Sequence, residues 1–285
     1  MDINIFQGDC IETLQKLDDK SINTCITSPP YWGLRNYNDE EKQLGMEDTP
    51  EEFIDNLVKV FREVKRVLRD DGTVWLNLGD SYSSGGRTTT TNQSLRGDKD
   101  YGVTRPKPSK GIKPKDLIGI PWRVALALQQ DGWYLRQDII WHKPNPMPES
   151  VKDRCTKAHE YIFLLSKNVK YYFDNEAIKE NCVTKNKQTN KKNKRSVWTV
   201  STKSFKGAHF ATFPMDLIEP CVLAGCPENG VVLDPFAGSG TTGIVAVNNN
   251  RNACLIDLSN EYLDIAEKRI QEQAEVDYKI VRANR

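Results

Sequence analysis

The sequence predicts an α/β protein, a doubly wound and mostly parallel sheet with helices on both faces. Three observations carry that expectation. Short apolar stretches alternate with longer segments of helical spacing along the whole chain. Two of the apolar stretches close in Gly-Asp, at Gly8-Asp9 and Gly79-Asp80. A third runs into the glycine-rich turn Asp234–Gly243, which opens a helical stretch in the way open α/β sheets form ligand crevices.

Taken in order, residues 3–6 read as a strand and residues 10–17 as a helix. Residues 22–27 form a second strand that runs directly into Pro29-Pro30. Residues 50–69 give the clearest helix. Thr49 is its N-cap, Pro50 suits its first position and Glu52 completes a capping box. Phe53, Leu57, Phe61, Val64 and Leu68 repeat on one face, with Gly72 as the expected stop. Residues 73–78 follow as a buried strand, and then a polar loop over about residues 83–115, too long for an ordinary connection. A helix is expected over 121–130, strands over 134–141 and 161–165 as an antiparallel edge pair, and a helix over 214–223. The last quarter reads as a strand at 231–234, a helix at 239–248, a strand at 253–257 and a helix from the N-cap Ser259 to about Ala274. Domain organisation follows: a core of residues 1–166 and 208–285, with 167–207 as a polar insertion.

Composition narrows the function classes. Hydrophobic residues are 38% of 285, enough for a sizeable core, and no apolar run approaches the ~20 residues of a membrane span. The N-terminal stretch MDINIFQGDC lacks the basic region and apolar core of a secretory leader, so a cytoplasmic location is expected. Seven cysteines, an odd and scattered set, fit reduced thiols. Cys155 with His159, or Cys221 with Cys226, lacks a second pair at zinc spacing, and no metal is expected. The net charge of +1 is uninformative, but residues 185–195 carry six basic side chains and no acidic one. Lys191, Lys192, Lys194 and Arg195 are therefore candidate phosphate contacts, alongside the simpler reading of a solvated loop.

The turn Asp234-Pro235-Phe236-Ala237-Gly238-Ser239-Gly240-Thr241-Thr242-Gly243 carries Gly-x-Gly-x-x-Gly between strand and helix, and Asp257 closes the next strand. Glycines let the backbone approach a ligand, the helix N-terminus favours an anionic group, and the acid suits a ribose diol. Three readings compete at this point: a dinucleotide, S-adenosyl-L-methionine, or a turn serving packing alone.

Ser28-Pro29-Pro30-Tyr31 follows a strand at the ligand-bearing edge. Two prolines stiffen the backbone and remove two N–H donors, leaving the Ser28 oxygen and the Pro29 carbonyl as acceptors beside the Tyr31 ring. That set suits an exocyclic amine, whose lone pair is delocalised into its base. Accepting both N–H groups pulls the nitrogen toward tetrahedral shape and frees the lone pair to attack a sulfonium methyl. Tyr31 would stack on a base that has left the duplex.

On these residues the chain resembles the amino-methyltransferases of DNA, in the permuted order where the catalytic motif precedes the cofactor loop. The resemblance implies a Rossmann-like, seven-stranded sheet with one antiparallel strand, S-adenosyl-L-methionine as cofactor and double-stranded DNA as substrate. Ser28, Pro29, Pro30 and Tyr31 resemble the catalytic motif, and Asp234, Pro235, Phe236, Gly238, Ser239, Gly240, Thr241 and Thr242 the cofactor loop. Asp257 resembles the ribose acid, Asp9 and Cys10 the adenine-contacting turn. Phe213 and Pro214, within residues 209–214, resemble the segment against the cofactor's methionine end. Trp32 and Arg35 are expected to steer the loop or its DNA. Trp141-His142-Lys143-Pro144-Asn145-Pro146 is similar to a loop that holds the flipped base, making His142 and Lys143 further DNA-binding candidates.

In such enzymes Ser-Pro-Pro-Tyr usually accompanies N4-cytosine methylation and Asp-Pro-Pro-Tyr N6-adenine methylation, so Ser28 favours cytosine. A cognate restriction endonuclease is a candidate partner, and both monomer and homodimer stay open. More remote alternatives are methylation of RNA or of a protein glutamine, a dinucleotide-dependent oxidoreductase, and a non-catalytic nucleic-acid-binding module. His142 and His159 read more simply as hydrogen-bonding histidines than as bases, and Cys221 lies in a helix away from any catalytic loop.

Overall fold

The computed structural model describes residues 1–33, 43–83, 112–182, 191–202 and 213–283. Arg35, Lys185, residues 209–212 and most of the loop expected at 83–115 lie outside them. The strands are β1 (Asp2–Gln7), β2 (Ile22–Thr27), β3 (Leu68–Leu78), β4 (Tyr134–His142), β5 (His159–Ser166), β6 (Glu180–Asn181), β7 (Lys191–Lys192), β8 (Val197–Thr199), β9 (Val231–Asp234), β10 (Asn252–Asp257) and β11 (Lys279–Ala283). The helices are α1 (Cys10–Leu14), α2 (Pro50–Val67), α3 (Ile120–Gln130), α4 (Met215–Gly225), α5 (Thr241–Asn248) and α6 (Asn260–Gln273).

Among the described residues the main sheet has nine strands in the order β11-β1-β10-β9-β2-β3-β5-β4-β8. Strand β5 runs antiparallel to both its neighbours, β3 and β4, and the other pairs are parallel. The expected seven strands with one reversed form the middle of this sheet, and β11 and β8 extend its two edges. Helices α1, α2 and α3 bury their apolar residues on one face, and α4, α5 and α6 on the other. The strand order reverses between β9 and β2, where the chain winds away in both directions. Connections leaving those two carboxyl ends diverge and open a crevice. No helix among the described residues is long and apolar enough to cross a membrane.

Several boundaries differ from the sequence expectation. Helix α2 has the predicted cap, with Glu52 N–H on Thr49 Oγ1 and Thr49 N–H on Glu52 Oε2, both at 3.2 Å. It ends at Val67, not Arg69, because Leu68 turns extended at ψ 140° and enters the core as the first residue of β3, opposite Ile22. Gly72 therefore does not stop the helix. It lies inside β3, where a β-carbon would stand 3.0 Å from Arg69 O and 3.1 Å from the Leu68 side chain. The β4–β5 pair is not an edge, since β3 covers one side and β8 the other. Strand β8 comes from within residues 167–207, where Trp198 is buried against the core. Strand β11 was not anticipated, because its burial alternates only weakly. Helix α1 stops at Leu14 and α5 begins at Thr241, two residues later than expected, since Gly240 takes the left-handed φ of 76° at its N-cap.

Candidate active site

Four adjacent strands, β1, β10, β9 and β2, bring their carboxyl ends together, and each delivers a segment singled out in the sequence. Ser28–Tyr31 leaves β2 and the glycine loop leaves β9. Asp257 ends β10 opposite Gln7 of β1, and Gly8 N–H donates to Asp257 O at 3.0 Å. The turn at Gly8-Asp9 is thereby seated beside the carboxyl end of β10.

The joint between the two central loops is a carboxylate. Asp234 is 1% exposed and its Oδ1 accepts from Thr27 Oγ1 at 2.6 Å and from Phe236 N–H at 3.1 Å, while Oδ2 accepts from Thr242 Oγ1 at 2.6 Å. Burial pushes its pKa up to about 6, and the Thr242, Thr27 and Phe236 hydrogen bonds offset part of that rise. Thr27 is the last residue of β2, so the acceptor loop and the glycine loop are held in fixed register.

The three glycines of the turn have different work. A β-carbon on Gly240 would stand 2.7 Å from Ala266 Cβ of α6, and one on Gly243 would stand 2.8 Å from Leu255 Cδ1 of β10. Both therefore serve packing. Gly238, at φ 49°, would meet nothing nearer than Phe236 O at 4.0 Å, so its open side is a backbone cradle for a ligand. The Gly238 N–H donates to Asp257 Oδ2 at 2.8 Å and the Ser259 N–H to Oδ1 at 2.9 Å. These contacts bind the acid expected at the ribose to the same cradle. The residues fit S-adenosyl-L-methionine, whose amino-acid end needs backbone approach and whose ribose needs an acid.

Side chains of several cofactor candidates turn inward. Asp234, Ser239, Thr241 and Thr242 are at most 4% exposed, so any contribution they make to a ligand is through loop shape and backbone N–H groups. Arg269 of α6 grips this loop from below, donating to Ser239 O at 2.6 Å, Ser239 Oγ at 2.5 Å and Thr241 Oγ1 at 3.1 Å. Asp9 caps α1 through Glu12 N–H at 2.9 Å. Cys10 is buried, which raises its thiol to about 12. Phe213 is buried and Pro214 is the N-cap residue of α4.

Around the acceptor loop, Tyr31 Oη donates to Glu160 Oε2 at 2.8 Å. The Tyr31 ring lies against Gly79, where a β-carbon would come within 2.7 Å of Cε2. Burial and the Glu160 charge hold the phenol well above its ordinary pKa, with Ser28 and the Gly79 backbone pulling the other way. Asn77 Nδ2 reaches the same Glu160 oxygen at 3.3 Å, and Lys143 pairs with Oε1.

Two DNA-contact expectations need correction. Trp32 is 5% exposed and donates through Nε1 to Glu47 O at 2.9 Å, so it belongs to the core under α2 and presents no surface to DNA. Lys143 is bound to Glu160 and lies 4.2 Å over the Trp141 ring, which makes it part of the site's wall. His142 is exposed, with Nδ1 3.1 Å from Thr199 Oγ1. In the hairpin of β6 and β7, Lys191 is exposed, while Lys192 and Arg195 share Glu180 at 3.4 and 2.5 Å. Lys194 stands 4.9 Å over Trp198. Burial lowers the His159 pKa and raises that of the Cys221 thiol, which argues against either as a reactive group.

Sequence reasoning missed Glu160, Asn77, Gly79 and Arg269 as site residues. Arg269 carried a readable signal: it follows Leu263 and Ala266 at helical spacing, a charge in an apolar register. Glu160 carried none, because its partners Tyr31 and Lys143 are distant in sequence.

Comparison with known proteins follows this geometry. The sequence pattern of the family described as DNA methylase matches residues 22–268. The chain is 51% identical over 267 residues to the Type II methyltransferase M.Cfr9I of Citrobacter freundii, covering 94% of this chain and 87% of that one. It is 52% identical over 269 residues to M.SmaI of Serratia marcescens, covering 93% and 90%. In fold it matches PvuII DNA methyltransferase (cytosine-N4-specific) with a TM-score of 0.68 at 20% identity, over 95% of this chain and 91% of that one. It also matches a DNA modification methylase of Thermus thermophilus, complexed with S-adenosyl-L-methionine, with a TM-score of 0.65 at 23% identity over 98% and 99%.

Proposed function

This chain belongs to the DNA methylase family, and on that premise we propose that it methylates the N4 amino group of a cytosine flipped out of double-stranded DNA. The observation that carries the reading is the Thr27–Asp234 hydrogen bond of 2.6 Å, which locks an acceptor-only loop to the cradle of a cofactor loop. S-adenosyl-L-methionine supplies an electrophilic sulfonium methyl. Gly238 and the N-terminus of α5 would hold its amino-acid end and Asp257 its ribose. The turn at Asp9 and Cys10 would flank its adenine, with Phe213 and Pro214 near its methionine end.

Ser28 Oγ and the Pro29 carbonyl accept the two N–H groups of the target amine and draw out its lone pair. Pro30 keeps the loop stiff, and the face of Tyr31 supports the base. Most of the rate gain comes from positioning and from acceptors already in place. The product amine sheds its extra proton readily, so no dedicated base is required.

Ser28 supports cytosine over adenine, since the serine form of this motif accompanies N4 methylation in enzymes of this resemblance. Residues 167–207 supply the target-recognition insertion, with Lys191, Lys194 and Arg195 as its outward charges and Arg35 and His142 as further contacts. The Type II relatives support a cognate restriction endonuclease as partner. The test is direct: incubate the protein with methyl-labelled S-adenosyl-L-methionine and unmethylated DNA, digest to nucleosides, and identify the product by mass spectrometry. N4-methylcytosine is expected. N6-methyladenine transfers the reading to the other base, and label found only in RNA or protein removes DNA as substrate.

A further inference from the structure

Glu160, the second residue of β5, gathers three donors. Tyr31 Oη and Asn77 Nδ2 reach Oε2 at 2.8 and 3.3 Å, and the Lys143 ammonium reaches Oε1. Asn77 is itself fixed by a second bond, to Tyr161 O at 3.0 Å. The side chains of Glu160 and Lys143 are 14% and 18% exposed, and a pair so withdrawn from water is weak evidence of a purely stabilising role.

A carboxylate paired with an ammonium has no proton to give. Tyr31 must donate its single phenolic proton to Glu160, which leaves its oxygen as an acceptor. The Ser28 side chain and the Gly79 N–H act on that oxygen as donors. Ser28 also has only one proton. Once it is directed to Tyr31, the serine oxygen can offer lone pairs and nothing else. The point matters for a serine in particular. An aspartate in that position is acceptor-only by nature, whereas a free hydroxyl can turn its proton toward the amine and oppose the N–H groups it is meant to receive.

We propose that Glu160 is a positioning residue for methyl transfer: as the acceptor that ends a one-way chain from Ser28 through Tyr31, it makes Ser28 meet the substrate amine only as an acceptor. The inference rests on the methyl-transfer reading above. It accounts for Gly79, which lets the Tyr31 ring reach Glu160, and for Lys143, whose charge is spent inside the site.

The test is a double-mutant cycle on the full chain with labelled S-adenosyl-L-methionine and unmethylated DNA. In Glu160→Gln the amide oxygen goes to Lys143 and the N–H groups face Tyr31, which reverses the chain. We expect kcat to fall on the order of 10-fold or more, while cofactor Kd by calorimetry and DNA KM stay within about 2-fold. Tyr31→Phe should reproduce that fall, and the double variant should be no worse than Tyr31→Phe alone. Wild-type kcat in Glu160→Gln, fully additive losses, or a defect confined to cofactor affinity overturns the proposal. If Glu160→Gln does not fold by circular dichroism, a folded Tyr31→Phe with wild-type kcat overturns it equally. A wild-type protein that methylates no DNA defeats the parent reading instead, which keeps the two failures apart.

Discussion

Thr27 and Ser28 are chain neighbours with opposite tasks. The Thr27 hydroxyl points into the protein and donates to Asp234, whereas Ser28 is half-buried at the crevice. The alternation of a strand assigns these directions, since successive side chains leave on opposite faces. Replacing Ser28 with Ala should therefore leave the fold and cofactor Kd intact and lower methyl transfer by roughly 10²-fold, as loss of one preorganised polar partner does elsewhere. Equilibrium binding and single-turnover rates on the same sample check both halves, and near-normal turnover removes Ser28 from the chemistry. Trp32 makes the contrasting case. At 5% exposed and hydrogen-bonded through its indole, it should cost about 3–5 kcal/mol when cut to Ala, read as a drop in urea midpoint. Unchanged stability with weakened DNA binding would return it to the surface role first expected of it.

At the scale of elements, the loops after β2, β9 and β10 were legible because glycine, proline and acid at strand ends have few alternative uses. The glycine turn also shows where legibility stops. Gly-x-Gly-x-x-Gly reads as one motif in sequence, but in the fold Gly240 and Gly243 are packing positions and only Gly238 opens to a ligand. That distinction depends on α6 and β10, elements whose approach no local spacing encodes. The same holds for Gly72, taken for a helix stop, and for β11, whose pairing with β1 is set by the tertiary frame. Glycine substitutions separate the roles. Gly240→Ala places a β-carbon into Ala266 at a φ of 76° and should destabilise the protein by about 2–4 kcal/mol through clash and strain. Gly238→Ala meets no neighbour and should cost only about 1–2 kcal/mol for its left-handed backbone, while weakening cofactor binding clearly. Denaturation and calorimetry on both variants decide it, and equal loss of affinity per kcal/mol of stability would make the motif a single packing unit.

For the molecule as a whole, the two halves of the sheet meet at β2 and β9, and Asp234 is the group in the seam. Chain order hid this, since Thr27 and Asp234 stand 207 residues apart, although each was singled out as part of its own loop. Joining the halves through a buried carboxylate makes stability depend on pH. The folded pKa of Asp234 is about 6 against an ordinary 3.8, so the folded protein holds this proton more tightly than the unfolded chain does. The contribution is fully present below pH 3.8 and is lost as pH rises through about 6. The difference corresponds to roughly 3 kcal/mol. Other carboxylates act in the opposite sense: hydrogen bonds from Lys115 and Arg154 hold Asp153 and Glu149 below their ordinary range, so whole-protein curves mix both signs. Comparison with Asp234→Asn isolates the seam. Urea unfolding free energies at intervals from pH 4 to pH 7.5 should show wild type gaining on Asp234→Asn as pH falls, with most of the change between pH 6.5 and 4. A constant difference across that range means that Asp234 keeps the same charge in both states, and that the seam is held without its proton.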